Sequence, residues 1–137
     1  MDWIDENIAI GSWIDAHCIR ILRKAKIDLM IDSRTLFTRA SRLSRNVPDI
    51  ALVERSAELM MVISRQKAKV LVYCRYGKDR SPFLAAVYFC RRYGVPFDEA
   101  YRLIGSKRPR TVYHPEWAEM LISYEHERSR SKDANGS

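Results

Sequence analysis

Cys74 and Arg80 are separated by five residues, and Ser81 follows directly. No other residues in this chain have types and spacing so well suited to chemistry. They lie in Val70-Leu71-Val72-Tyr73-Cys74-Arg75-Tyr76-Gly77-Lys78-Asp79-Arg80-Ser81-Pro82. The first four residues have buried-strand character and Gly77 marks a turn. Pro82 opens a helical stretch to Tyr93, with Gly94 just past its end. A loop that opens a helix turns unpaired N–H groups inward and adds the positive end of the helix dipole. The result is a cradle for an anion the size of phosphate or sulfate. A cysteine at its base is held as thiolate, the nucleophilic form. An arginine at its lip can grip two phosphate oxygens at once. The Ser81 hydroxyl can donate to the sulfur. The chemistry implied is thiolate attack on an anion held by Arg75, Tyr76, Gly77, Lys78, Asp79 and Arg80.

The elements around this loop follow from hydrophobic period and punctuation. Ile8-Ala9-Ile10, closed by Gly11, reads as a strand. Ser12 is an N-cap with Asp15 in the capping-box position. The helix it opens carries Ile14, Cys18, Ile21 and Leu22 on one face, with His17 exposed. Ile27–Asp32 reads as a second strand with Asp32 structural at its end, and Ser33–Pro48 as loop. A helix over Leu52–Gln66 turns Leu59, Met60, Val62 and Ile63 to the core. Past the cradle, Leu84, Val87, Tyr88 and Cys90 face inward. Short helical runs follow over Phe97–Ser106 and from Pro115 to about Arg128. Strand, helix, strand, helix, strand and then helices is an α/β order in one domain of residues 1–128. Residues 129–137 are expected to form a flexible polar tail.

Composition narrows the function classes. The chain has 137 residues, 47% of them hydrophobic, which suits one folded domain rather than disorder. It lacks an apolar run near the ~20 residues of a membrane span and a basic-then-apolar leader, so a cytoplasmic protein is expected. Cys18, Cys74 and Cys90 show no metal or disulfide spacing, and no metal or cofactor is expected. The net charge of +7 suits phosphate-bearing partners. Arg34, Arg39, Arg42 and Arg45, with no acid among them, suit either a solvated loop or a substrate-facing rim.

Cys74, Arg80 and Ser81 match the C-x5-R-[ST] signature, and the chain resembles the small dual-specificity and protein tyrosine phosphatases. Asn7–Ala16 is similar to that family's first strand and helix, Ile27–Asp32 to its second strand, and Ser106–Arg110 to the segment before its last helix. The resemblance implies a twisted, mostly parallel sheet of about four or five strands with helices on both faces. The phosphate loop would lie at the carboxyl end of a central strand. It also implies a phosphocysteine intermediate and no cofactor. Phosphate, vanadate or sulfate would bind as active-site anions. The family's histidine before the nucleophile is Tyr73 here. Its general acid, an aspartate on an upstream loop, is matched best by Asp49, 25 positions before Cys74. Asp79 is the alternative acid, resembling the loop aspartate of myotubularin-like lipid phosphatases.

The resemblance implies hydrolysis of phosphotyrosine and phosphoserine/threonine in proteins. Arg75 and Lys78 resemble the basic loops of inositol phosphate and phosphoinositide phosphatases. The same chemistry on those substrates, or on RNA 5′-phosphates, is the alternative; nucleic acid is otherwise not an expected partner. A phospho-binding module with weak turnover is the alternative from another class, because of Tyr73.

Overall fold

The computed structural model describes residues 1–39 and 46–135. Its elements, in chain order, begin with β1 (Asp2–Trp3), β2 (Ile8–Ser12), α1 (Trp13–Ala16), α2 (Ile19–Ala25) and β3 (Leu29–Asp32). A 3-10 helix (Ser33–Leu36), β4 (Phe37–Arg39), β5 (Asn46–Pro48) and α3 (Ile50–Arg65) follow. The chain then forms β6 (Val70–Cys74), α4 (Arg80–Tyr93), α5 (Phe97–Lys107) and α6 (Pro115–Asn135). The main sheet has the order β1-β2-β6-β3. Strands β2 and β3 flank β6 in parallel, and β1 runs antiparallel at one edge. The expected α/β architecture, a mostly parallel sheet between helices, is therefore present.

Strand β6 holds the centre because Val70, Leu71 and Val72 are apolar on both faces and fully buried, as a central parallel strand requires. Val70 and Val72 point into the main core with Ile8, Ile10, Phe83, Leu84 and Val87. Leu71 faces the other way, into a smaller cluster with Ala9 and Ala16. The register sets Tyr73 opposite Gly11 and Asp32, and Cys74 opposite Ser12. The strand ends and the cradle therefore open at the carboxyl end of the parallel strands.

Four local expectations need correction. The single helix after Ser12 is two. The Ser12–Asp15 capping box forms, but the chain leaves the helix at Cys18 (φ −105°, ψ 100°) and restarts. Ile14 is consequently 72% exposed, while Leu22 reaches the Ala9–Ala16–Leu71 cluster. The segment taken as loop contains the 3-10 helix and the β4–β5 hairpin, with Phe37 opposite Pro48. Phe37 drives this by packing its ring on Phe83 and Trp117. The side chains of Arg39, Arg42 and Arg45 lie outside the described residues.

In α3, Met60 is buried as expected and Ile63 packs against the core. Leu59 and Val62, however, are about half exposed (50% and 49%). The inward stripe instead runs through Ile50, Val53, Glu54, Ala57, Met60 and Ser64. Glu54 and Ser64 can be buried because Arg91 pairs with one and the Tyr88 hydroxyl bonds the other. Finally, α6 continues past Arg128 to Asn135, since the first helix breaker in that stretch is Gly136. No helix among the described residues is long and apolar enough to cross a membrane.

Candidate active site

The cradle's shape is set by what its carbonyls do. Five successive carbonyls, from Arg75 to Asp79, accept hydrogen bonds from outside the loop's interior. Arg75 O accepts from Trp13 N–H at 3.1 Å, Lys78 O from Val112 N–H at 2.7 Å and Asp79 O from Phe83 N–H at 3.4 Å. Arg108 serves the other two: its Nη2 donates to Tyr76 O at 3.3 Å and its Nε to Gly77 O. With every carbonyl turned outward, the amides face inward. Arg108 is itself buried, and its Nη1 donates to Asp2 at 2.8 Å and to Ile10 O at 3.4 Å. Gly77 cannot be replaced in this arrangement. Its φ is +67°, and a Cβ there would lie 2.5 Å from Arg108 Nη2 and 2.6 Å from the Gly11 carbonyl oxygen.

Cys74 sits at the base of the cradle, 3% exposed. Burial pushes its thiol pKa up. The Ser81 hydroxyl and the backbone N–H groups of Ser81, Gly77 and Arg80 more than offset that, and the thiol lies below its ordinary value. The Ser81 Oγ is buried with no hydrogen bond that would hold it elsewhere among the described residues, and its hydroxyl lowers the Cys74 thiol. Thiolate stabilisation therefore comes from the loop and the start of α4.

Tyr73 takes no part in that cradle. Its ring faces the α1–α2 layer, edge-on to His17 at 6.2 Å, and burial together with the Asp32 charge keeps its phenol protonated. Asp32 caps the 3-10 helix through Arg34 N–H and pairs with the Arg34 guanidinium at 2.8 Å. Burial raises its carboxyl, but the Arg34 hydrogen bonds outweigh that and hold it below the usual range.

Asp49 and Asp79 both stand at helix N-caps and differ in what their carboxylates do. Asp49 caps α3, accepting from Leu52 N–H at 3.2 Å. It is exposed in a cleft with Pro48, Glu119 and Tyr124. Asp79 makes no such bond to α4. Its Oδ1 lies 2.7 Å from His114 Nε2, and Asp79, Arg80, His114 and Asn46 line one cavity. His114 stacks on Trp117 at 3.7 Å, and its Nδ1 lies 3.4 Å from Glu116. Cys74 through Ser81 thus come together in one loop, while Asp49 lines a neighbouring cleft that shares Glu116 with the Asp79 cavity. Arg108 and His114 are the site residues that motif reading missed. The only signal for Arg108 is its place in the Ser106–Arg110 segment. His114 carries none beyond preceding the proline that opens α6.

A family profile described as "dual specificity phosphatase, catalytic domain" matches residues 9–127, and the chain belongs to that family. The protein-tyrosine-phosphatase IBR5 of Arabidopsis thaliana is 36% identical over 61 residues, covering 44% of this chain and 24% of that protein. Human dual specificity phosphatase 28 is 29% identical over 76 residues, covering 56% of this chain and 43% of that protein. The chain spans less than half the length of these curated relatives. In three dimensions, the crystal structure of human DUSP28 superposes with a TM-score of 0.74 at 21% identity, over 96% of this chain and 99% of that one. At that identity the likeness is one of fold.

Proposed function

We propose that this protein is a cysteine-dependent phosphatase that hydrolyses phosphotyrosine and phosphoserine/threonine esters in proteins. The observation that carries the reading is the depressed thiol of Cys74 beneath a loop whose five carbonyls all point away. The Cys74 thiolate attacks phosphorus in line, forming the S–P bond as the P–O bond to the substrate breaks. The loop amides and Arg80 carry the equatorial oxygens, where charge lies in the transition state. A carboxylic acid protonates the departing oxygen. In the second step that carboxylate takes a proton from water, the hydroxide attacks phosphorus, and the sulfur leaves as thiolate, assisted by Ser81.

We assign the acid to Asp79. What supports it over Asp49 is that Asp49 is engaged in capping its own helix, whereas Asp79 shares a cavity with Arg80. His114, stacked on Trp117, holds Asp79 in place. The family match to residues 9–127 supports residues 1–128 as the catalytic unit. A thiolate nucleophile and three free cysteines favour a reducing compartment such as the cytoplasm.

The test is chemical. Cys74→Ser abolishes turnover of p-nitrophenyl phosphate yet still binds phosphate or vanadate. Iodoacetate inactivates the wild type, and vanadate protects it. Because the folded thiol titrates below a free thiol, inactivation reaches its plateau at a lower pH than the ~8.5 of free cysteine. Near wild-type turnover by Cys74→Ser, or a plateau only above that pH, sinks the reading.

A further inference from the structure

Beside the cradle lies a cleft of about 600 Å³ lined by Trp13, Ile14, Arg34, Arg75, Tyr76 and Arg110, distinct from the cavity that Asp79 lines. It adjoins the residue directly after the nucleophile. A substrate whose phosphate occupies the cradle can lead its neighbouring residues into this cleft.

The walls of the cleft are apolar and open: Trp13 is 44% exposed, Ile14 72% and Tyr76 54%. The charge is one-sided. Among the described residues no carboxylate lines the cleft, and Arg34 is already neutralised by Asp32. Arg75 and Arg110 have no carboxylate partner among the described residues. Arg75 instead rests over the Tyr76 ring at 5.2 Å, and Lys78 lies over the same ring at 5.6 Å. Two guanidiniums without acids, next to apolar walls, fit a ligand that carries anionic and apolar groups side by side. A polyphosphorylated inositol would use the arginines and leave Trp13 and Ile14 bare. A nucleotide base needs open ring faces, but His17 covers one face of Trp13 at 4.0 Å and Tyr76 already carries two cations. An extended peptide needs neither.

We propose that this cleft is a substrate subsite for acidic phosphopeptides. A residue next to the phosphorylated one packs against Trp13, Ile14 and Tyr76, and Arg75 and Arg110 take a carboxylate or second phosphate close by in the chain. The proposal rests on the phosphatase reading above and narrows its substrate class.

The experiment compares two phosphotyrosine peptides, identical except for glutamates or glutamines beside the phosphorylated residue. At low salt the acidic peptide has the higher kcat/KM, by about fivefold to tenfold for two solvent-exposed charge contacts. The ratio falls toward one in Arg110→Ala, inverts in Arg110→Glu, and shrinks as salt rises. Reading the ratio cancels any folding defect common to both peptides. The same pair is measured by fluorescence anisotropy against Cys74→Ser with and without Arg110→Ala, so the subsite is tested even where turnover is absent. Loss of turnover on every peptide with discrimination in binding retained would defeat the phosphatase reading and leave the subsite standing. A ratio indifferent to Arg110 in both measurements overturns the subsite. So does an Arg110-dependent preference for phosphoinositide vesicles or 5′-phosphorylated RNA over the acidic peptide.

Discussion

Aspartate at a helix N-cap normally serves its own helix, and Asp79 does not. A carboxylate that forgoes a local bond and turns to a histidine 35 residues away is held for another purpose. Asp79→Asn should slow phenyl phosphate by about a hundredfold or more, the usual scale for a lost general acid, and p-nitrophenyl phosphate far less, since that leaving group needs no proton. Asp49→Asn should show no leaving-group dependence. His114→Gln should show a leaving-group dependence smaller than that of Asp79→Asn, which a purely structural role would not produce. Leaving-group dependence in Asp49→Asn with a silent Asp79→Asn would return the acid to Asp49. The Cys74–Ser81 stretch is legible in the sequence as a candidate site because its geometry is local, written in one loop. The contact that distinguishes the two aspartates, His114 on Asp79, is not legible there, because that approach is a property of the tertiary fold.

The loop depends on elements distant from it in sequence. Arg108, at the end of α5, reaches back 31 residues to Gly77 and tightens the cradle through two carbonyls. Gly77→Ala places a Cβ inside van der Waals contact with Arg108 and the Gly11 carbonyl at a positive φ. It should lose both stability, by about 1–3 kcal/mol, and affinity for vanadate. Arg108→Lys removes the planar fork and should weaken vanadate binding while keeping the charge opposite Asp2. Unchanged vanadate affinity in both variants would mean the loop holds its shape unaided. The legibility of the helices differs in kind. Helix α4 shows its buried face plainly, with Leu84, Val87, Tyr88 and Cys90 all inside. Helix α3 hides its face, because two of its inward positions are Glu54 and Ser64. Period reading scores such residues as surface, and only their partners on α4 explain their burial.

Across the whole molecule, Arg91 joins three helices. It pairs with Glu54 on α3 and Glu125 on α6, and these bonds raise its pKa well above the ordinary value. Glu54 is 4% exposed, so Arg91→Ala strands a buried carboxylate and should cost about 3–5 kcal/mol in urea unfolding. The double variant Glu54→Gln/Arg91→Ala should recover part of that loss; no recovery would mean that Arg91 acts through packing alone. The α/β class follows from strand and helix succession and was legible for that reason, whereas the sheet order β1-β2-β6-β3 is set by tertiary pairing. The β4–β5 hairpin was not, because Phe37 is drawn inward by rings from α4 and α6. The cradle's outward carbonyls have a bearing on synthesis. Their donors run from Trp13 to Val112, so while a ribosome is still making the chain, Cys74 emerges long before Val112 can reach Lys78. During that interval it lacks its finished cradle and should carry an ordinary, mostly protonated thiol. The reactivity of the Cys74 thiol is switched on by completion of the fold, and a nascent or truncated chain ending before Val112 should react with iodoacetate no faster than free cysteine.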